Sequence, residues 1–213
     1  MKNIAIYGAG GFGREVACLL NIINKKEPTW NLVGFFDDGK EKGYFNEYGE
    51  ILGGIAEVNA WTVPLSIVIA IGSPHVVEKI VNSIDNANID YPNIIAPDTI
   101  FLDKSHFFIG QGNLVCPGCL FSTNVQIGNF NCFNGFITVG HDTRIENFNS
   151  IMPAVRVSGG VRIGKRNFLG VGSAILQQIK VGCDTVIGAN SVVIRSTKDG
   201  NTYVGNPACI VKY

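Results

Sequence analysis

One of the three histidines in this 213-residue chain stands beside a carboxylate, in the segment Val139-Gly140-His141-Asp142-Thr143-Arg144. An imidazole ordinarily titrates near pH ~6.5 and can take up a proton at neutral pH. A neighbouring carboxylate can hold the ring and stabilise the imidazolium that forms. His141 is therefore the candidate general base and Asp142 its partner, with a bland surface histidine as the alternative. His75 and His106 are most simply read as solvated or capping residues. A second pattern, Gly8-x-Gly10-x-x-Gly13, directly follows a short apolar run and opens a helical one. Such glycines let the backbone approach phosphates, whose charge the helix N-terminus favours. Asp37 ends the next apolar run, where a ribose-binding carboxylate would sit. A tight turn without ligand would give the same spacing. Cys116 and Cys119 form a CxxC with no second pair or nearby histidine to complete a zinc site, so they are read as packing residues and no metal is expected.

These residues need scaffolds, and the chain offers two. Over residues 1–93, apolar runs alternate with segments of helical period. Asn3–Tyr7, Leu32–Phe36 and Ser66–Ile71 read as strands, the last β-branched on both faces as in a doubly covered sheet. Val16, Leu19, Leu20 and Ile23, and then Val76, Val77, Ile80, Val81 and Ile84, have helical spacing. This alternation predicts a small Rossmann-like βαβ domain with a parallel sheet. It is only half of a dinucleotide-binding fold, which favours a single nucleotide over a nicotinamide cofactor.

Over residues 94–213 the period becomes six. From Ile109 to Val193 every sixth residue is Ile, Val, Leu or Phe, fifteen positions without a slip. Four positions after each, small or β-branched residues dominate, as at Val125, Thr143, Val161 and Ser173. A fixed short period of this kind is the signature of a solenoid: a short strand, a tight corner, and one inward aliphatic side chain per repeat. His141 lies two positions after an inward residue, which puts it at a corner with its ring outside.

Composition narrows the partners. Lys plus Arg equals Asp plus Glu at 17 each, so no overall field recruits nucleic acid or an anionic membrane. No apolar run reaches the ~18 residues of a membrane span. Six cysteines without a secretion signal are expected to be reduced thiols in a cytoplasmic protein.

The six-residue repeat resembles the left-handed parallel β-helix of acyltransferases, in which three hexapeptides form one triangular coil; the handedness is what the resemblance implies. Tyr203-Val204-Gly205-Asn206-Pro207-Ala208 is similar to the ending common after such helices. With the glycine-rich turn, the chain resembles along nearly its whole length one family of hexapeptide acetyltransferases. That family includes bacterial sialic-acid O-acetyltransferases and N-acetyltransferases of nucleotide-linked amino sugars. The resemblance implies a nucleotide sugar in the α/β domain, touched by Gly10, Gly11, Phe12, Asp37, Asp38 and Gly72, with Phe12 standing where many relatives carry histidine. It implies acetyl-CoA on the β-helix, near Val171 and Ala189. Ser150 replaces a histidine that contacts the coenzyme in relatives, and Asn134 matches an asparagine near the substrate. The catalytic base of the family, followed by an acidic residue, falls on His141.

Val171 and Ala189 are three hexapeptides apart, one full coil, and stack in a column. His141 precedes Val171 by five hexapeptides, one coil and two sides of the next, which places it on a different edge of the triangle. Two edges are more readily joined by a neighbouring subunit, so active sites between subunits of a cyclic oligomer are predicted, and the resemblance makes it a homotrimer. The expected reaction is direct acetyl transfer from acetyl-CoA to the amine of a UDP- or dTDP-linked amino sugar. Sugar O-acetylation and a non-catalytic nucleotide-binding scaffold are the alternatives.

Overall fold

The computed structural model describes residues 1–211 and consists of two compact units, Met1–Pro97 and a second beginning at Asp98. In the first unit β1 (Lys2–Tyr7), α1 (Gly11–Lys26), β2 (Trp30–Phe36), β3 (Phe45–Asn46), β4 (Gly49–Gly53), α2 (Ile55–Asn59), β5 (Leu65–Ile69), α3 (Pro74–Ser83) and β6 (Ile89–Asp90) follow in order. They build one sheet in the order β3-β4-β2-β1-β5-β6. β1 is central, parallel to β2 and β5. Every residue of β5 is buried, as its two-faced apolar sequence requires.

The sheet is mixed rather than purely parallel, because β3 pairs with β4 in a hairpin. Asn46 makes the turn: its Oδ1 accepts the Tyr48 and Gly49 amides at 2.8 and 3.2 Å, an Asx-type bend. The short helix α2 likewise carries no periodic signature in the sequence. Glu57 starts it by reaching back to accept the Gly54 amide at 2.9 Å.

The second unit is a β-helix. Fifteen two-residue strands, from Phe108–Ile109 to Val192–Val193, end on the fifteen periodic residues. All of these but Ile109 are buried. Strands one coil apart pair in parallel, as Ser150–Ile151 does with Cys132–Phe133 below and Phe168–Leu169 above. The three resulting sheets are the sides of a prism. At its start Phe101, Phe107, Phe121 and Phe133 fill the interior, with ring centroids 4.7–5.5 Å apart.

Each corner turns on a residue with φ between +53° and +76°, at 112 and every sixth position to 190. Only some are glycine or asparagine. Phe130, Phe136, Phe148 and Arg166 adopt this left-handed conformation against the preference of L side chains. Contacts along the corner offset the strain. Phe130 stacks on Phe148 at 5.5 Å, and Arg166 grips Asp184 with Nε and Nη2 at 2.7 and 2.8 Å.

Inside one corner runs a ladder of buried asparagines, Asn113, Asn131, Asn149 and Asn167, each at most 1% exposed. In each step the upper residue donates its backbone amide and Nδ2 to the Oδ1 below, at 2.9–3.0 Å. The Thr185 amide closes the series on Asn167 at 2.7 Å.

Candidate functional site

The glycine-rich turn joins β1 to α1, and its glycines divide into two kinds. Gly13 abuts the Gly8 carbonyl, so an added Cβ would overlap that oxygen; a Cβ on Gly8, where φ is +109°, would meet the Ala70 carbonyl at 2.6 Å. These two are demanded by packing. Gly10, Gly11 and Gly72 have nothing within 4 Å of an added Cβ. Gly10 and Gly11 line a cavity of about 490 Å³ with Phe12, Asp37, Asp38 and Lys79, whereas Gly72 lies outside its lining. The fold does not require the missing side chains of Gly10 and Gly11; they leave room beside the helix N-terminus. Gly13→Ala is therefore expected to lose more than ~3 kcal/mol of stability and Gly11→Ala to change it by less than ~1 kcal/mol, measured by urea denaturation.

Both acidic residues of this site are engaged by the protein. Asp37 accepts the Ala9 and Gly39 amides, each at 2.9 Å, and so ties the glycine turn to the end of β2. Asp38 accepts the Ile55 amide at 3.0 Å and the Tyr7 hydroxyl. Burial, reinforced by Asp38, pushes the Tyr7 phenol far above its ordinary range, so Tyr7 is a fixed donor. Tyr7 carries no sequence signal beyond its place at the end of β1.

His141 sits at the corner between Thr138–Val139 and Arg144–Ile145. Its side chain is 63% exposed, as its place in the repeat predicts. Asp142 is the left-handed residue of this corner, φ +58°, and that turn sets consecutive side chains side by side. His141 Nδ1 lies 2.8 Å from Asp142 Oδ2, which leaves Nε2 for an outside partner. The bond to His141, then one from Asn124, holds the Asp142 carboxyl below its usual range. A depressed carboxyl keeps its charge as pH falls through the ordinary value of ~3.9, and the pairing is lost only below that.

His106 also has an acidic partner, with Nδ1 2.7 Å from Asp103. There the carboxylate also accepts the Ser105 amide and the Thr123 hydroxyl, a capping arrangement around a short 3₁₀ turn.

Val171 and Ala189, both outside the prism, occupy the corner after Phe168–Leu169 and Val186–Ile187. Half-buried Asn134 follows Cys132–Phe133 on that same edge. The structure thus groups Asn134, Val171 and Ala189 and sets His141 on the next edge. Ser150 is only 2% exposed, in contrast to Val171 at 48%. Among the described residues no cluster suited to a metal ion occurs, the cysteines are free thiols, and no helix is long and apolar enough to cross a membrane.

Two residues near His141 escape a reading by adjacent positions. Asn124, one coil before Asp142, donates Nδ2 to its Oδ1 at 2.6 Å. Gly159, one coil after His141, lies above the ring: a Cβ there would overlap Nε2 first and would fall 2.6 Å from Cε1 and 2.9 Å from Cδ2.

Both units have counterparts among known proteins. The family described as the PglD N-terminal domain matches residues 3–84. GDP-perosamine N-acetyltransferase of Escherichia coli O157:H7 is 31% identical over 150 residues, covering 68% of this chain and 65% of that protein's length. The acetyltransferase domain of PglB from Neisseria gonorrhoeae FA1090, solved in complex with acetyl coenzyme A, superimposes with a TM-score of 0.88 at 28% identity over 99% of both chains. WeeI from Acinetobacter baumannii AYE gives the same score and identity over 99% of this chain and 100% of its own.

Proposed function

This chain belongs to the hexapeptide-repeat, left-handed β-helix sugar acetyltransferases, and on that premise we propose that it transfers an acetyl group from acetyl-CoA to the amine of a nucleotide-linked amino sugar, with His141 as general base. The observation that carries the reading is the His141–Asp142 pair, which fixes one ring nitrogen and presents the other at an open corner.

In the proposed step the sugar amine attacks the thioester carbonyl while His141 Nε2 takes the amine proton. A backbone N–H at the corner stabilises the developing oxyanion. The C–N bond forms, the C–S bond breaks, and the imidazolium returns its proton to the departing thiolate. Asp142 stabilises the transient imidazolium. The nucleotide occupies the cavity at Gly10, Gly11 and Phe12, where space and the α1 N-terminus suit its phosphates. Asp37 and Asp38, which line that cavity and are held by the backbone and Tyr7, contact the nucleotide sugar together with Gly72. Acetyl-CoA lies along the edge of Val171 and Ala189, with Asn134 near the substrate. Ser150 reaches the coenzyme only if its cover shifts, since its hydroxyl is closed off in the protomer.

Because His141 and the Val171 edge are separate, the reading includes a homotrimer whose sites form between subunits. UDP or dTDP is the nucleotide expected, and the E. coli relative named for a GDP sugar adds GDP to those worth testing. The free thiols suit a cytoplasmic setting.

A thiol-release assay with acetyl-CoA tests the reading across UDP-, dTDP- and GDP-linked amino sugars. Release in step with an N-acetylated product is the expected result. Turnover only with hydroxyl acceptors would point instead to O-acetylation, and none with any acceptor to a scaffold.

A further inference from the structure

An exposed ion pair is a weak restraint. His141 and Asp142 have side chains 63% and 56% exposed, and pairs of that kind contribute little against side-chain entropy. Adjacency alone therefore does not explain a single ring orientation. The coil below supplies what is missing. The Asp142 amide donates to the Thr123 carbonyl at 3.1 Å, which anchors the backbone. The Asn124 Nδ2 donates to Asp142 Oδ1 at 2.6 Å, while the other oxygen, Oδ2, faces His141 Nδ1 at 2.8 Å. Each carboxylate oxygen thus has its own partner, and the plane of the carboxylate is set from below. Asn124 is itself exposed and left-handed, φ +53°, and among the described residues its carboxamide makes no other side-chain hydrogen bond. From above, the absent side chain of Gly159 gives the ring a seat.

We propose that Asn124 is a positioning residue for His141: by orienting the Asp142 carboxylate it keeps the imidazole protonated on Nδ1, with the Nε2 lone pair free to receive the substrate proton. Asn124 touches no reacting atom in this scheme. The proposal rests on the reading of His141 as base, but the orientation it claims is measurable without turnover. An Nδ1–H aimed at a fixed carboxylate oxygen selects one tautomer, as outer-shell partners do for imidazoles at other sites.

Two substitutions separate this role from a structural one. Asn124→Gly removes the carboxamide and still accepts a positive φ. Asn124→Asp keeps the shape but sets a carboxylate against a carboxylate. Both full-length variants are expected to fold, with kcat reduced about tenfold and KM for acetyl-CoA within about twofold of wild type. Nitrogen-15 correlation spectra of the imidazoles provide the second readout. With only three histidines, the His141 signals are those that vanish in His141→Ala. Wild type is expected to show the Nδ1–H form, and both variants a mixture of tautomers. Unchanged kcat and an unchanged tautomer in both variants would overturn the proposal. If His141→Ala itself turns over normally, the base assignment falls, while the tautomer measurement still decides whether Asn124 orients the ring.

Discussion

His141→Ala is expected to lower kcat by about 10²- to 10⁴-fold, the usual contribution of a positioned general base. Its KM for acetyl-CoA should change little, because in the proposed step His141 Nε2 takes up the amine proton while the coenzyme is held along the Val171 and Ala189 edge. Stability should survive the substitution. The imidazole is exposed, and its one hydrogen-bond partner among the described residues is the exposed Asp142, so truncation opens no cavity and strands no buried group. Thiol release from acetyl-CoA, alongside circular dichroism and sedimentation to confirm fold and assembly, measures both halves of the expectation. Near-normal turnover would remove His141 from the mechanism.

Asn149→Leu is expected to destabilise the β-helix by about 3–6 kcal/mol, because it breaks the asparagine ladder at its middle. Asn149 Oδ1 accepts both the amide and the Nδ2 of Asn167, at 2.9 and 3.0 Å, and its own Nδ2 donates to Asn131 Oδ1 at 2.9 Å. Leucine offers neither function. The Asn167 donors would be left at 0% exposure without their acceptor, and each buried orphan costs roughly 1–3 kcal/mol. The shift in urea midpoint measures the loss. A change under about 1 kcal/mol would mean that the corner relaxes around a side chain of similar bulk, and the ladder would then be incidental to stability.

The same ladder marks where the sequence was legible and where it was not. The inward residues follow one rule of chemistry and spacing, so the fifteen strands fall where the period puts them. Asn113, Asn131, Asn149 and Asn167 also recur, once per coil, yet a search for aliphatic periodicity passes over polar residues. Their burial becomes intelligible once each amide side chain is seen to satisfy the next. The left-handed corners were harder still. Phe130 and Arg166 are not residues that local propensity would place at positive φ; stacking and ion pairing along the corner decide it. In the first unit, residues 40–55 are rich in glycine and polar side chains and carry no period, so nothing there announces the β3–β4 hairpin or α2.

The candidate site divides the same way. His141, Asp142 and the glycine turn stand out by residue type and immediate neighbours. Asn124 and Gly159 stand a full coil from Asp142 and His141, and only the coil length reveals them. The same full-coil step that stacks Val171 on Ala189 links Asn124 to Asp142 and His141 to Gly159. Asp37 shows what spacing leaves out: it lines the cavity as its spacing suggests, and its oxygens also hold the Ala9 and Gly39 amides.

The most direct test of the account mixes two defective subunits in one assembly. One carries His141→Ala and keeps its coenzyme edge; the other keeps His141 and carries Ala189→Trp, which crowds that edge. Each alone should be nearly inactive. If sites form between subunits, random mixing at equal amounts after denaturation and refolding should restore about a quarter of wild-type thiol release, since one interface in four then pairs an intact base with an intact coenzyme edge. Mixed assemblies, verified by differently tagged subunits, that remain as inactive as their parents would contradict an imidazole acting across the boundary between chains.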